Sequence, residues 1–513
     1  MSASSAVFLA ATISSSAMAA AGDAFNPYSD LAVNPDTQIL ASITEGNAAL
    51  QSEVARWVPL AEQNERHEGL YKCADLADPK CDFNAENQEF NAHMLLQDCA
   101  VAKSEFCIES LSLAPAGGSF EPANFVRLTN QPEWPNSAKL NLPGGSGLDI
   151  YSSSNAPTRG GLSTYSVAVN LAMDWDQTLK QFYPRSMDVI VSPIRLEANP
   201  LIKGKYGHGT AEEKACAWAE PGNCGILQDW AEGTRAKLTI KAPAKITGWF
   251  TGRITDPQIS VEKLNSTVNR VSVTASPVEV PQLATVQPAS EKDAAMAEIG
   301  YLGWGGWGTI PQVGSSAGGR SIAAFIDRYK KVTHDSATAN VSMWAFSSIE
   351  GGQGSRCLSD KTNVQGIVST NAMGYDVMAP SFQDGVLVYH VSGMHYLPDG
   401  KTPAEGTYDL IMRSDTARCL YGFSNAPISA TISVVSAAGE IKTAVTTVTE
   451  TQDGWLKLSA RGFTFSNPII KVAISQNSGK GPAPVQTITC VKGKLTKKVS
   501  GTAPKCPAGY KKK

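Results

Sequence analysis

Beyond Cys107, apolar and polar positions alternate along much of the chain with a period of two. In "AKLTIKA" this places Leu238 and Ile240 on one side and Lys237, Thr239 and Lys241 on the other. That is the pattern of a strand with one covered face. "PQISVEKL" and "NRVSVTASPVEVP" continue it, separated by turn residues. Between residues 341 and 478 the signal is strongest. Asp384-Gly385, Asp399-Gly400 and Asp453-Gly454 are hairpin-turn dipeptides flanked by apolar runs. "TISVVS", "TAVTTVTE", "GWLKLSA", "GFTFS" and "IIKVAIS" supply strands at the spacing of a sandwich.

Two stretches break the period. Over residues 34–67, Leu40, Ile43, Leu50, Val54, Trp57 and Ala61 recur near helical spacing behind Asn34-Pro35-Asp36, a good helix start. This predicts a helix, weakened at Gly46 and Pro59, with its apolar stripe packed on the domain. Residues 287–320 are rich in glycine, serine and proline, as a connector is, and "RSIAAFIDRYKKV" follows as a short helix. The fold expected is mainly β: two antiparallel β-sandwich-like domains, a short N-terminal helical segment and disulfide staples. The expected divisions are a signal peptide at 1–22, a helical and cysteine-rich segment at 23–106, and a first β domain at 107–286. A Gly/Trp-rich connector with its helix follows at 287–340, then a C-terminal sandwich at 341–480 and a basic tail at 481–513.

Length supports this division, because 513 residues exceed one ordinary core. Residues 1–22 combine an apolar stretch, Ala6 to Ile13, with small-x-small cleavage sites at Ala17-Met18-Ala19 and Ala19-Ala20-Ala21, and read as an export signal. Its charged leader is missing, since the first basic residue is Arg56. Either the true start lies upstream of Met1 or the signal is a weak one. No other stretch approaches the ~18 apolar residues of a membrane span, so a secreted or cell-surface location is expected. The ten cysteines agree with it. Three C-x7-C repeats favour the pairs Cys73–Cys81, Cys99–Cys107 and Cys216–Cys224, leaving Cys357–Cys419 and Cys490–Cys506. Zinc knuckles would need C-x2-4-C spacing, which is missing, so disulfides in an oxidising compartment are expected.

Catalytic motifs fail one by one. "GHGT" around His208 lacks the serine and aspartate partners of a protease triad. "GGSG" around Ser146 has Leu148 where a nucleophile elbow needs glycine. His67-Glu68 has Tyr71 where a zinc-protease helix needs histidine. His390 and His395 stand five apart, on opposite faces of a strand and turn. Asp174-Trp175-Asp176 reads as a solvent-facing strand end. No motif calls for a cofactor or a metal. In "YLGWGGWG", Tyr301, Trp304 and Trp307 form either a sugar-stacking surface or an anchor between domains. A glycan-active hydrolase remains only as an alternative, because no sequence signal marks its carboxylates.

The charge is not evenly spread. The chain carries −3, yet its last 24 residues hold Lys492, Lys494, Lys497, Lys498, Lys505, Lys511, Lys512 and Lys513 and no acid. The remainder is therefore acidic, and without a basic folded face nucleic acid is excluded as a partner. The tail suits anionic cell-surface polymers or glycans, and residues 488–492 and 495–499 suit a ribbon turning at Gly493. "ITCVKGKLTKKVSGTAPKCPAGYKKK", with "YDLIMRSDTARCLYGFSNAPISATISV" and "DGWLKLSARGFTFSNP", resembles the C-terminal part of secreted and cell-surface actinobacterial proteins of unknown function, over roughly residues 341–513. The resemblance implies export and a shared C-terminal β module with its tail. It brings no site residues. The function expected is a surface structural or adhesion-type protein without a catalytic site, with a glycan-binding protein as the alternative.

Overall fold

The computed structural model describes residues 21–513 except 35, 46–50, 59–68, 204–214, 247, 293, 296–311, 315–318, 350–355, 358–363, 377, 423–427, 436–440, 443–444, 451–453, 466–468, 477–485, 494, 502–504 and 507–508. The fold is mainly β. Its framework is a 14-stranded sheet. One path through it runs Val445–Glu450, Trp455–Thr464, Glu405–Arg413, Gly366–Thr370, Trp249–Arg253, Ala345–Ile349, Gln181–Lys203, Thr164–Asp176, Phe90–Leu95, Glu53–Trp57 and Leu70–Lys72. Along this path neighbours are antiparallel, except that Trp249–Arg253 lies parallel to Gly366–Thr370. The sheet therefore contains strands from both sides of the 287–340 stretch.

Each face of this sheet carries its own core. A five-stranded sheet built on Cys107–Ala114, Arg235–Pro243 and Val268–Ser276 covers one face. Leu111, Leu238, Ile240 and Val273 pack there with Val167, Val169, Met187 and Val189. Leu238 and Ile240 share the buried side, as the alternation predicts. A six-stranded sheet containing Val386–Ser392, Ile428–Val435 and Ile469–Gln476 meets the other face. Leu387, Tyr389, Ile432 and Val472 pack there with Val368, Leu410, Leu456 and Leu458.

Successive residues of the shared strands serve opposite cores. Phe250, Ile367 and Ile411 belong to the first, and Trp249, Val368 and Leu410 to the second. This explains why "GIVST" is buried at every position, Ser369 and Thr370 included: a strand covered on both faces has no exposed alternate. The two sandwich-like packings thus share a sheet.

The predicted helix forms at Gly319–Lys330. Ile322, Phe325, Ile326 and Tyr329 make one helical stripe, and it packs with Ala41, Ile43, Leu283, Met373 and Met394. The helix expected over 34–67 does not form where the structure describes it. Gln38–Thr44 is a strand, antiparallel to Ala284–Pro288 and parallel to Gln312–Gly314, and Glu53–Trp57 is a strand of the large sheet. Ile39, Ile43 and Thr44 are β-branched, and distant strand partners override a weak local preference. Trp57 is consequently half exposed instead of packed.

All five expected cysteine pairs are bonded: Cys73–Cys81, Cys99–Cys107, Cys216–Cys224, Cys357–Cys419 and Cys490–Cys506. Each short loop contributes roughly 2.6 kcal/mol in the chain-entropy account. Cys419 sits in the helix Ser414–Tyr421, so its bond to Cys357 joins a turn to a helix.

Candidate functional site: the basic C-terminal sheet

The lysine-rich segment is folded. Gln486–Lys492 and Leu495–Gly501 pair antiparallel through a turn at Gly493, whose φ of 62° suits glycine. Lys511–Lys512 returns on the other side of Gln486–Lys492 and makes it the central strand of three. The Lys513 amide donates to the Thr489 carbonyl at 2.8 Å, extending the ladder by one residue. Cys490 is buried in this unit and its bond to Cys506 closes the loop. Such a loop stabilises by about 3 kcal/mol. That offsets the cost of gathering like charges.

Lys492, Lys505, Lys511, Lys512 and Lys513 are exposed. Backbone pairing sets Lys497 and Lys512 on either side of Cys490, and Lys498 beside Thr489. Lys494 lies outside the described residues. Paired strands are about 4.8 Å apart and rise about 3.3 Å per residue. Lys511, Lys512 and Lys513 are consecutive and exposed, so their charges act within roughly one Debye length, about 8–10 Å, and their potentials add. Ammonium groups with three donors each suit phosphate, carboxylate or sulfate groups repeated along a polymer.

The other expected positions fall as follows. Tyr301, Trp304 and Trp307 lie outside the described residues, as do His67 and His208. His390 Nδ1 is 2.8 Å from Asp376 Oδ2, and that hydrogen bond holds the imidazole above its ordinary value. His395 faces Asp335 instead, so the two histidines serve different aspartates. Ser146 is buried and donates to the Gln131 carbonyl, so it is no nucleophile. The glycines around it allow close packing: a Cβ on Gly145 would collide with Ser52 Oγ. Asp174 pairs with Arg185, and Asp176 caps the turn through the amides of Thr178 and Leu179.

No family model matches this chain, nor does any curated protein or solved structure. Its own chemistry must therefore carry the functional reading.

Two groups of side chains escaped the sequence reading. Several buried carboxylates serve the fold, Glu220, Asp409 and Asp149 among them. Glu220 binds Arg127 and the Asn130 amide, Asp409 binds Arg461 and Ser459, and Asp149 accepts the Asp98 amide at 2.7 Å. The second group is a polar row containing His93, Asn170 and Asp188 on the large sheet. Its signal was present in "FNAHML", where polar Asn91 and His93 alternate with apolar neighbours. That alternation marks a second, polar face.

Proposed function

We propose that this chain is an exported surface-association protein of the structural or adhesion type, held to anionic surface polymers by its basic C-terminal sheet. The observation that carries the reading is the folded lysine cluster: five exposed lysines on a disulfide-closed unit, set on an otherwise acidic chain. Pairing of all ten cysteines supports an oxidising, extracellular setting. The resemblance of residues 341–513 to secreted actinobacterial proteins points the same way. No helix among the described residues is long and apolar enough to cross a membrane. Surface retention in this reading rests on charge.

The test replaces Lys492, Lys505, Lys511, Lys512 and Lys513 with glutamine in the full-length oxidised protein. Each lysine near an anionic surface is worth about 1 kcal/mol. The variant should lose well over tenfold in retention on a phosphate- or carboxylate-bearing polymer. Retention of the parent should fall steeply as salt rises, because the contact is exposed and screened. Equal retention of parent and variant, or indifference to salt, overturns the proposal.

A further inference from the structure

We propose that the polar row centred on His93, Asn170 and Asp188 is a saccharide-binding face, with Tyr183 as its stacking platform. Asn170 pairs across the sheet with Leu95 on one side and Asp188 on the other, and Asp188 pairs with Ser347. One residue pair further, His93 pairs with Ala172. Asp174 then lies between Asn91 and Tyr183. Because side chains alternate along strands, all of these face away from the core formed by Val169, Leu171, Met187 and Val189. Asp174 and Asn170 are four residues apart, about 13 Å along the strand. That is the reach of a short oligosaccharide.

The centre of this face has an unmet bond. Asn170 is 1% exposed, and its amide nitrogen lies 3.1 Å from His93 Nδ1 and 3.4 Å from Asp188 Oδ2. Its Oδ1 is buried without a hydrogen-bond partner. A buried carbonyl left without a donor is costly, and a ligand hydroxyl entering between the half-buried His93 and Asp188 would satisfy it. His93 and Asp188 are half-buried and stand beside it with further acceptor and donor capacity. At the other end Tyr183 is 48% exposed, next to the Arg185–Asp174 ion pair. An aromatic ring matches the apolar face of a sugar, while carboxylate, amide and guanidinium groups bond its hydroxyls.

Other occupants fit less well. The strands here are paired on both sides, so a peptide cannot add to an edge. Among the described residues, no three acidic, histidine or cysteine side chains gather to hold a metal. Arg185 is paired with Asp174, so the face has no concentrated charge for a polyanion.

The site is separate from the lysine sheet, and one experiment separates the two. The intact protein is run through gels containing neutral polysaccharides: a glucan, a mannan, a galactan and a soluble chitin derivative. At least one should retard it, in about 0.5 M salt where exposed charge contacts are screened. The five-lysine variant should be retarded equally. Tyr183→Ala and Asp188→Asn, both at partly exposed positions, should each weaken retardation at least tenfold with unchanged melting temperature. No retardation by any of the four polymers overturns the proposal. So does retardation that both substitutions leave intact.

Discussion

Arg253 is 2% exposed and keeps its charge, because the Glu45 carboxylate meets its guanidinium at 2.6 Å and the carbonyls of Thr370 and Ala372 accept from it. The Tyr375 ring lies 4.4 Å below. Asp149 is as deeply buried and less well served. Its Oδ1 accepts the Asp98 amide, but its Oδ2 has no partner, and no cation pairs with it among the described residues. Burial first, and the neighbouring Asp98 charge second, hold its carboxyl well above the ordinary range. It therefore keeps its proton in the fold at a pH where the unfolded chain has lost it. Its contribution to stability is complete below the unfolded value of about 3.9 and is lost as pH rises toward the folded one. An asparagine at this position would not titrate. Asp149→Asn should therefore gain on the parent as pH is raised from 4 toward 7, by up to about 1.4 kcal/mol per pH unit. Urea midpoints of both proteins across that range check this, and a constant difference contradicts it.

At the scale of elements, the helix Gly319–Lys330 docks on the short strand Gly374–Tyr375. A Cβ on Gly374 would collide with Ile322 Cγ2. Gly374→Ala should cost about 1–3 kcal/mol by overpacking. Pairing it with Ile322→Ala should cost less than the sum of the two, since one steric conflict is removed. Denaturant midpoints of the four proteins of that cycle measure it. That helix was legible in the sequence because its apolar stripe is local. The hairpin at Asp384-Gly385 was legible too, since both residues take positive φ, as a two-residue turn between Ser381–Gln383 and Val386–Ser392 requires. Strand Gln38–Thr44 was not, because its partners at 284–288 and 312–314 are remote and its apolar residues satisfy two periods at once. The lysine cluster announced itself by charge. The third strand, Lys511–Lys512, is too short for any pattern. The polar row on Phe90–Leu95 and Thr164–Asp176 was hidden differently: its members come together only through strand register.

For the whole molecule, the shared sheet couples the two cores. Opening either core exposes apolar residues on strands that the other also needs, such as Phe250 beside Trp249. Calorimetry should therefore show one transition, with calorimetric and van't Hoff enthalpies in agreement. Leu456→Ala, at a fully buried site of the second core, should lower that transition as a whole by about 2–5 kcal/mol. Two separated peaks would mean independent cores. The C-terminal sheet has a different kind of consequence. A run of lysines is ordinarily the first place a trypsin-like enzyme cuts, and a chain exported as proposed would meet many such enzymes. Here the backbone of Lys511–Lys513 is held in a ladder that the Cys490–Cys506 bond closes. A protease must draw a strand out of its sheet before it reaches those peptide bonds. The unit can display its charge while withholding the peptide bonds of Lys511–Lys513 from digestion, and reducing one disulfide would reverse that.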